Sequence, residues 1–308
     1  MGYAQLRMTP SERSLSGIAS VVIATACFAT LDTGTKLISA AVPLVMILWA
    51  RYVFQAIFMV TVVLPRTGRA LAASQRPGLQ VTRGLLLMLC SVLAINSLMH
   101  IQVGEFTAIV MLSPLLITLL SAIVLKEKVS ALRWLLVLGG FVGAIIVIRP
   151  GSDAFQWAML LPLVLVFANT GFQLVTSKLS KFDNASTTHF YTGVVGLVAT
   201  TLALPLFWKT LEPAALWLTL AGIGALSTLG HYLLIVGYSS APAATLTPYL
   251  YFQIAFATLG GWIAFSHAPD RWTLIGICVI SISGVLGTWL TAREKRGREV
   301  ALRIQSID

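Results

Sequence analysis

The chain has 308 residues, 57% of them apolar and only 10% charged, with a mean hydropathy of +0.87. A water-soluble domain carries about 25% charged residues, so this composition excludes one and predicts a polytopic membrane protein. The net charge of +10 is of the kind a nucleic-acid binder carries, but the cations sit in short stretches between apolar runs, so no nucleic-acid partner is expected.

Crossing a hydrocarbon core takes about 20 helical residues. Ten windows are long and apolar enough: 17–38, 43–64, 84–101, 106–125, 131–148, 157–177, 189–208, 214–238, 243–265 and 272–292, the fifth being the shortest. They are continuous runs of Leu, Val, Ile and Ala without the alternation of a membrane barrel, so the predicted fold is all-α with ten transmembrane helices. Residues 1–16 are polar and no small-residue cleavage motif follows, so the first helix is expected to be its own insertion signal. With loops numbered from the N-terminus, sixteen of the 21 Lys and Arg fall on one side, among them Arg66, Arg69, Arg76 and Arg83 in one loop. Three, Arg149, Lys209 and Arg271, fall on the other, and Lys36 and Arg51 lie within spans. The positive-inside rule then puts both termini in the cytoplasm of a multi-pass cell-membrane protein, expected in a bacterial inner membrane.

Asp32-Thr33-Gly34-Thr35-Lys36-Leu37 returns 137 positions on, at residues 169–174, as Asn169-Thr170-Gly171-Phe172-Gln173-Leu174, with both charges replaced by amides. Ser113-Pro114 returns as Thr247-Pro248 at an offset of 134. Each half therefore reads as one five-span repeat, residues 1–150 and 151–308, the second ending in a short basic cytoplasmic tail. An odd number of spans per repeat inverts the second relative to the first, so outward-open and inward-open states become near mirror images. That is the layout of a secondary transporter working by alternating access.

A charge in hydrocarbon normally faces a partner or a wet cavity. Asp32 is six residues short of the outer end of span one and Arg51 eight residues past the outer end of span two, which at 1.5 Å per residue gives depths of about 9 and 12 Å. Lys36 is one turn above Asp32 on the same face. A cluster of Asp32, Lys36 and Arg51 is expected, either as an ion pair fixing helices one and two or as part of a gate. On span six, Asn169 and Gln173 form an uncharged hydrogen-bonding face that either lines a cavity or bonds to neighbouring helices. Gly34 and Gly171 are candidate flex points or sites of close packing. In span nine Tyr249 and Gln253 share a face near Phe252 and Phe256, just past Pro248. Rings with a few polar handles suit a pocket for an amphipathic molecule, and aromatic packing is the other use of the same residues. Pro114 is expected to bend span four as Pro248 bends span nine. His231 reads as a hydrogen-bonded packing histidine first and a cavity candidate second, Asn96 either lines the cavity or packs, and His100 and Glu105 read as solvated interface residues. Gly139 and Gly143 on span five, matched by Ser283 and Gly287 on span ten, are expected to pack at the periphery, against their own repeat or in a homodimer contact.

Cys27, Cys90 and Cys278 are isolated, and His100, His189, His231 and His267 lack metalloenzyme spacing. There is no G-x-x-x-x-G-K-[ST] loop. No metal, cofactor or catalytic residue is expected. The expected partners are the lipid bilayer and a small-molecule substrate. The rivals from other classes are a membrane enzyme, for which the four histidines lack H-E-x-x-H or acid-pair spacing, and a channel, which would need a charge ring that is not readable.

Several of these motifs resemble the EamA type of the drug/metabolite transporter superfamily. In the first half they are Lys36 followed fifteen positions later by Arg51, the segment from Thr107-Ala108 to Pro114 leading to Leu125-Lys126-Glu127-Lys128, and the glycine-rich fifth span. In the second half they are Pro248-Tyr249-Leu250-Tyr251-Phe252-Gln253, Gly260-Gly261-Trp262, Phe265, Pro269-Asp270 and Ser283-Gly284. The resemblance covers spans one to ten. It departs at His267, where the family usually has an acidic residue, and in span seven, which has no counterpart of Arg51. It implies a carrier with a central cavity. Within the family the chain looks most like exporters of aromatic and other neutral amino acids that also expel methyl viologen, so export of such amino acids is the expected function. A multidrug or quaternary-ammonium exporter is the alternative, and it would want an unpaired acid where Asp32 has cationic neighbours.

The orientation is directly testable. Single cysteines introduced at Ser74 and Ser152 are expected to react with an impermeant maleimide from opposite faces, Ser152 from outside. Labelling of both from outside would sink the ten-span arrangement.

Overall fold

The structure, a computed structural model, describes residues 10–124, 130–153, 155–179, 182–241, 243–266 and 268–305. Among these residues every regular element is helical. Helix α1 is Pro10–Ile38, and α2 is Leu44–Phe58, extended by a π turn at Met59–Val63 and a last turn at Leu64–Thr67. Then follow α3 Pro77–His100, α4 Val103–Val110, α5 Ser113–Val124, α6 Ala131–Ile148 and α7 Leu160–Leu179. The second half continues with α8 Ala185–Phe207, α9 Ala215–Ser240, α10 Ala243–Leu246, a 3₁₀ segment Thr247–Tyr251, α11 Phe252–Phe265 and α12 Arg271–Gln305. The Leu125-Lys126-Glu127-Lys128 and His267 positions lie outside the described residues.

Among the described residues eight helices are long and apolar enough to cross a membrane. The other two expected spans, 106–125 and 243–265, are interrupted, the first between α4 and α5 and the second at the 3₁₀ segment. The cause is local. Pro114 cannot donate to the Val110 carbonyl four residues back, and the Ser113 hydroxyl takes that carbonyl instead at 2.7 Å. Pro248 opens the 3₁₀ segment in the same way. Gly34 and Gly171 lie inside the uninterrupted helices α1 and α7, and the two interruptions fall beside the prolines. Helix α3 starts at Pro77, earlier than the hydropathy window, and so carries Gln80 and Arg83 within it.

Small residues set the closest helix approaches. Gly17 and Gly237 bring α1 and α9 together, while Gly224 and Gly196 receive the Phe54 and Tyr52 rings of α2. Helices α6 and α12 run antiparallel, with Gly139 against Ser283 and Gly143 against Ile280. An ion pair closes each end of this contact: Arg133 with Glu294 at 3.1 Å and Arg149 with Asp270 at 2.6 Å. The small-residue faces expected to meet their own repeat or a second copy are thus covered across the two halves of one chain. The outward surface is apolar, as a bilayer requires, with Leu206 82% and Ile263 74% exposed.

Loops also meet in pairs. Lys209 donates to the Ala41 carbonyl at one end. At the other, Asp183 accepts from the Ser74 hydroxyl, the Gln75 amide and the Gln80 side chain. Desolvation opposes ionisation of Asp183, but these three donors outweigh it and hold the carboxyl below the usual carboxylate range. A depressed pKa contributes stability above the unfolded value, lost as pH falls through the folded one. Asp270, which also caps α12 through the Thr273 amide at 2.7 Å, is depressed in the same sense.

An ideal Cβ at Gly284 would fall 1.9 Å from the buried Tyr251 ring. Gly284→Ala is therefore expected to lower stability by about 1–3 kcal/mol through overpacking, read as a lower thermal midpoint of the purified protein. In a Tyr251→Leu background, where the ring is gone and the Met111 carbonyl has already lost its donor, the same Gly284→Ala change should cost much less.

Candidate functional site

A set of buried and half-buried polar side chains gathers where α1, α2, α3, α7, α8, α9 and α11 face one another. Gln253 of α11 donates to the Asp32 carboxylate at 3.5 Å, a long contact that joins the first and second halves. Arg51 lies within electrostatic reach of Asp32, but its Nε donates to Ser227 Oγ of α9 at 3.2 Å. One turn on, His231 Nδ1 bonds the Ser227 carbonyl at 2.7 Å, so Nδ1 carries the proton, and Phe28 of α1 meets the imidazole edge-on at 5.0 Å. Ser227 is therefore held by two helices at once.

Arg83, counted from the sequence as a loop cation, is the largest addition. Its Nε donates to Thr176 Oγ1 at 2.7 Å, its Nη1 donates to Thr192 and the Thr188 carbonyl, and its guanidinium covers the Phe172 ring at 4.4 Å. Beside it Gln55 Nε2 donates to the His189 carbonyl at 3.1 Å, and the His189 and His231 rings lie 6.3 Å apart. Only the position of Pro77, a good first helical residue, signalled that Arg83 belongs to a helix.

Lys36 does not join Asp32. Its Nζ reaches outward along α1 and donates to the Leu98 and Ile101 carbonyls at 2.9 and 2.8 Å, where α3 ends. A cation satisfies the orphan carbonyls of a helix C-terminus better than it would share a carboxylate with Arg51. Asn169 donates to Ser113 Oγ at 3.1 Å, at the break between α4 and α5. Asn96 donates to Val92 of its own helix at 2.8 Å, and Gln173 is half-buried on α7. Tyr249 stacks parallel to Phe252 at 6.3 Å and packs against the Val21, Ala241 and Leu246 cluster. The expected cavity set is thus brought together only in part: Gln253 and His231 join Asp32 and Arg51, whereas Asn96, Asn169 and Tyr249 bond or pack elsewhere. Glu105, expected to be solvated, is 7% exposed. Among the described residues no cluster could hold a metal ion.

A bundle of apolar helices with two of them broken, and with charged side chains buried between its halves, defines a multi-pass membrane transporter of small molecules. The chain belongs to the EamA-like transporter family, whose model matches residues 15–149. It is 32% identical over 206 residues to a riboflavin transporter of Vibrio cholerae, covering 65% of this chain and 68% of that one. It is 28% identical to the pseudopaline exporter CntI of Pseudomonas aeruginosa, over 92% and 98% of the two chains. To an S-adenosylmethionine uptake transporter of Rickettsia bellii it is 26% identical, over 74% and 79%. A crystal structure of a protein 17% identical superposes with a TM-score of 0.62 over 92% of this chain and 98% of that one, a likeness of fold.

Removing the Arg51 side chain deprives Ser227 of a donor and Asp32 of its nearby cation. Arg51→Ala is expected to lower stability by roughly 1–3 kcal/mol and to reduce folded yield. Adding Asp32→Asn should recover part of that loss, whereas equal losses with and without Asp32→Asn would mean that the two residues are not coupled.

Proposed function

We propose that the chain is a ten-crossing carrier in which two inverted five-helix repeats, residues 1–150 and 151–308, rock about the Asp32–Arg51 region with both termini cytoplasmic. The observation that carries this reading is a pair of contacts, each between the first helix of one repeat and the broken helix of the other. Asp32, on the first helix of one repeat, bonds to Gln253 just past the break in the other. Its repeat counterpart Asn169 bonds to Ser113 at the break in the first. A pseudo-two-fold axis brings each repeat's first helix against the other's broken helix, although the two bonds sit at different levels, since Thr247 and not Gln253 is the counterpart of Ser113; half-helices that re-angle at their breaks are suited to closing one end while the other opens. Adding the two broken helices to the eight continuous spans brings the count to ten.

The solute we propose joins a planar ring to an anionic or polar group. Two guanidinium groups, Arg51 and Arg83, stand against one carboxylate, Asp32, among the described residues of this region. That excess of positive charge suits an anionic group and disfavours a quaternary ammonium. The Phe172 ring under Arg83 supplies an aromatic surface beside it. Aromatic amino acids fit this description and remain the first reading, with outward movement the proposed direction. Riboflavin is the second, favoured by the 32% identity to a protein named for it.

Proteoliposomes preloaded with tryptophan or riboflavin test both readings. The expected result is saturable, trans-stimulated exchange of at least one, weakened roughly 2 to 13-fold in affinity when Phe172→Ala removes one aromatic contact of about 0.5–1.5 kcal/mol. Linear, unsaturable flux would indicate a channel and sink the carrier reading. Exchange of neither solute by folded protein would remove the substrate class.

A further inference from the structure

A cavity of about 200 Å³ lies away from the Asp32–Arg51 region, where α3 gives way to α4 beside the end of α11 and the start of α12. Lys36 and Glu105 both line it. Two of the three Lys36 N–H groups are taken by the Leu98 and Ile101 carbonyls, which leaves one donor, and the ammonium stands 5.6 Å from the Phe265 ring centre. Glu105 accepts from Thr273 Oγ1 at 3.3 Å and from the Gln102 amide, reaching back from the third residue of α4 to its cap. A carboxylate offers about four acceptor sites, so half of its capacity is unused. The two charges feel each other but form no direct ion pair. Thr258 Oγ1, on the same cavity wall, is buried without a hydrogen-bond partner. Trp262 and Phe265 supply an apolar wall.

Opposite charges that line one partly open cavity without pairing, beside an unpartnered hydroxyl and two rings, form a receptor for a molecule carrying both charges itself. We propose that this cavity binds a small soluble zwitterion, its primary ammonium on Glu105 and its anionic group on the free Lys36 donor, with Thr258 bonding the same ligand. The volume sets the size. Sites for drug-sized ligands occupy about 300–1,000 Å³, and this space lies below that range, which suits a small ligand. A phosphoethanolamine headgroup has the same pair of charges, and the experiment separates the two sources. The site is distinct from the Asp32–Arg51 region, and in the proposed orientation it lies at the outer end, where an exported solute would be released.

The test is equilibrium binding, which does not depend on turnover. Full-length protein in nanodiscs of phosphatidylcholine alone is titrated with L-threonine, propylamine and propionate, using dialysis and tryptophan fluorescence. Threonine is expected to bind saturably, at least about tenfold more tightly than either single-charge compound. Glu105→Gln should weaken it about tenfold or more, as loss of a charged hydrogen-bond acceptor does. Thr258→Val, which removes a hydroxyl that supports nothing else in the fold, should weaken it about threefold, and Trp262→Phe should remove the fluorescence change. Threonine binding no tighter than that of the fragments, or unchanged in folded Glu105→Gln and Thr258→Val proteins, would overturn the proposal. A fluorescence response only when phosphatidylethanolamine is added to the discs would overturn the soluble ligand in favour of the lipid.

Discussion

Where a helix breaks among apolar neighbours, its freed carbonyls must find donors inside the protein, since hydrocarbon supplies none. Much of this structure follows from meeting that requirement. Ser113 takes the Val110 carbonyl that Pro114 leaves open, and the Tyr251 hydroxyl takes the neighbouring Met111 carbonyl at 3.1 Å. Lys36 takes two more carbonyls at the end of α3. Each donor comes from a position that also joins two elements, so the break in one half is stabilised partly by residues of the other. Tyr251 in turn needs the bare surface of Gly284, which ties α12 to the same point.

This coupling has a mechanical consequence. A break whose orphan groups were met by water would be loose. One met by Tyr251, Ser113 and Asn169 holds a single geometry until those bonds exchange together. Such an element changes between discrete arrangements rather than deforming gradually, as the proposed alternating access would require. The α6–α12 pair is the contrasting part: small residues in close contact and an ion pair at each end make it a rigid strut across the two halves.

How much of this was legible depended on whether a residue's role was local. Pro114 and Pro248 announced the breaks because a missing amide acts on its own helix. Asp32, Arg51, Gln253 and His231 could be picked out because a polar group among apolar neighbours needs an explanation. Their partners could not. Lys36 and Asp32 share a helix face, but which cation goes to the carboxylate is decided by where α3 ends, a fact of tertiary structure. Arg83 and Glu105 were misjudged for one reason: hydropathy windows trim polar residues from helix ends, although a helix begun by Pro77 or capped at Gln102 carries such residues well inside the fold. The Gly139 and Gly143 stripe was recognised as a packing face, while its partner, another stripe in the same chain, was beyond the reach of a motif.

The placement of charge also bears on selectivity. Arg51 and Arg83 are held by Ser227 and by Thr176 and Thr192, hydroxyls that bond a guanidinium without neutralising it. Carboxylates in those positions would have cancelled the charge and left an electrostatically indifferent interior. Hydroxyls fix the geometry and leave the positive potential available, at the cost of keeping two poorly hydrated cations among apolar helices. A structural role alone would be served more cheaply by apolar packing. Of the two guanidinium groups, Arg51 has the Asp32 carboxylate within electrostatic reach, whereas the partners of Arg83 are hydroxyls, a carbonyl and a ring face, so Arg83 carries most of this unbalanced charge.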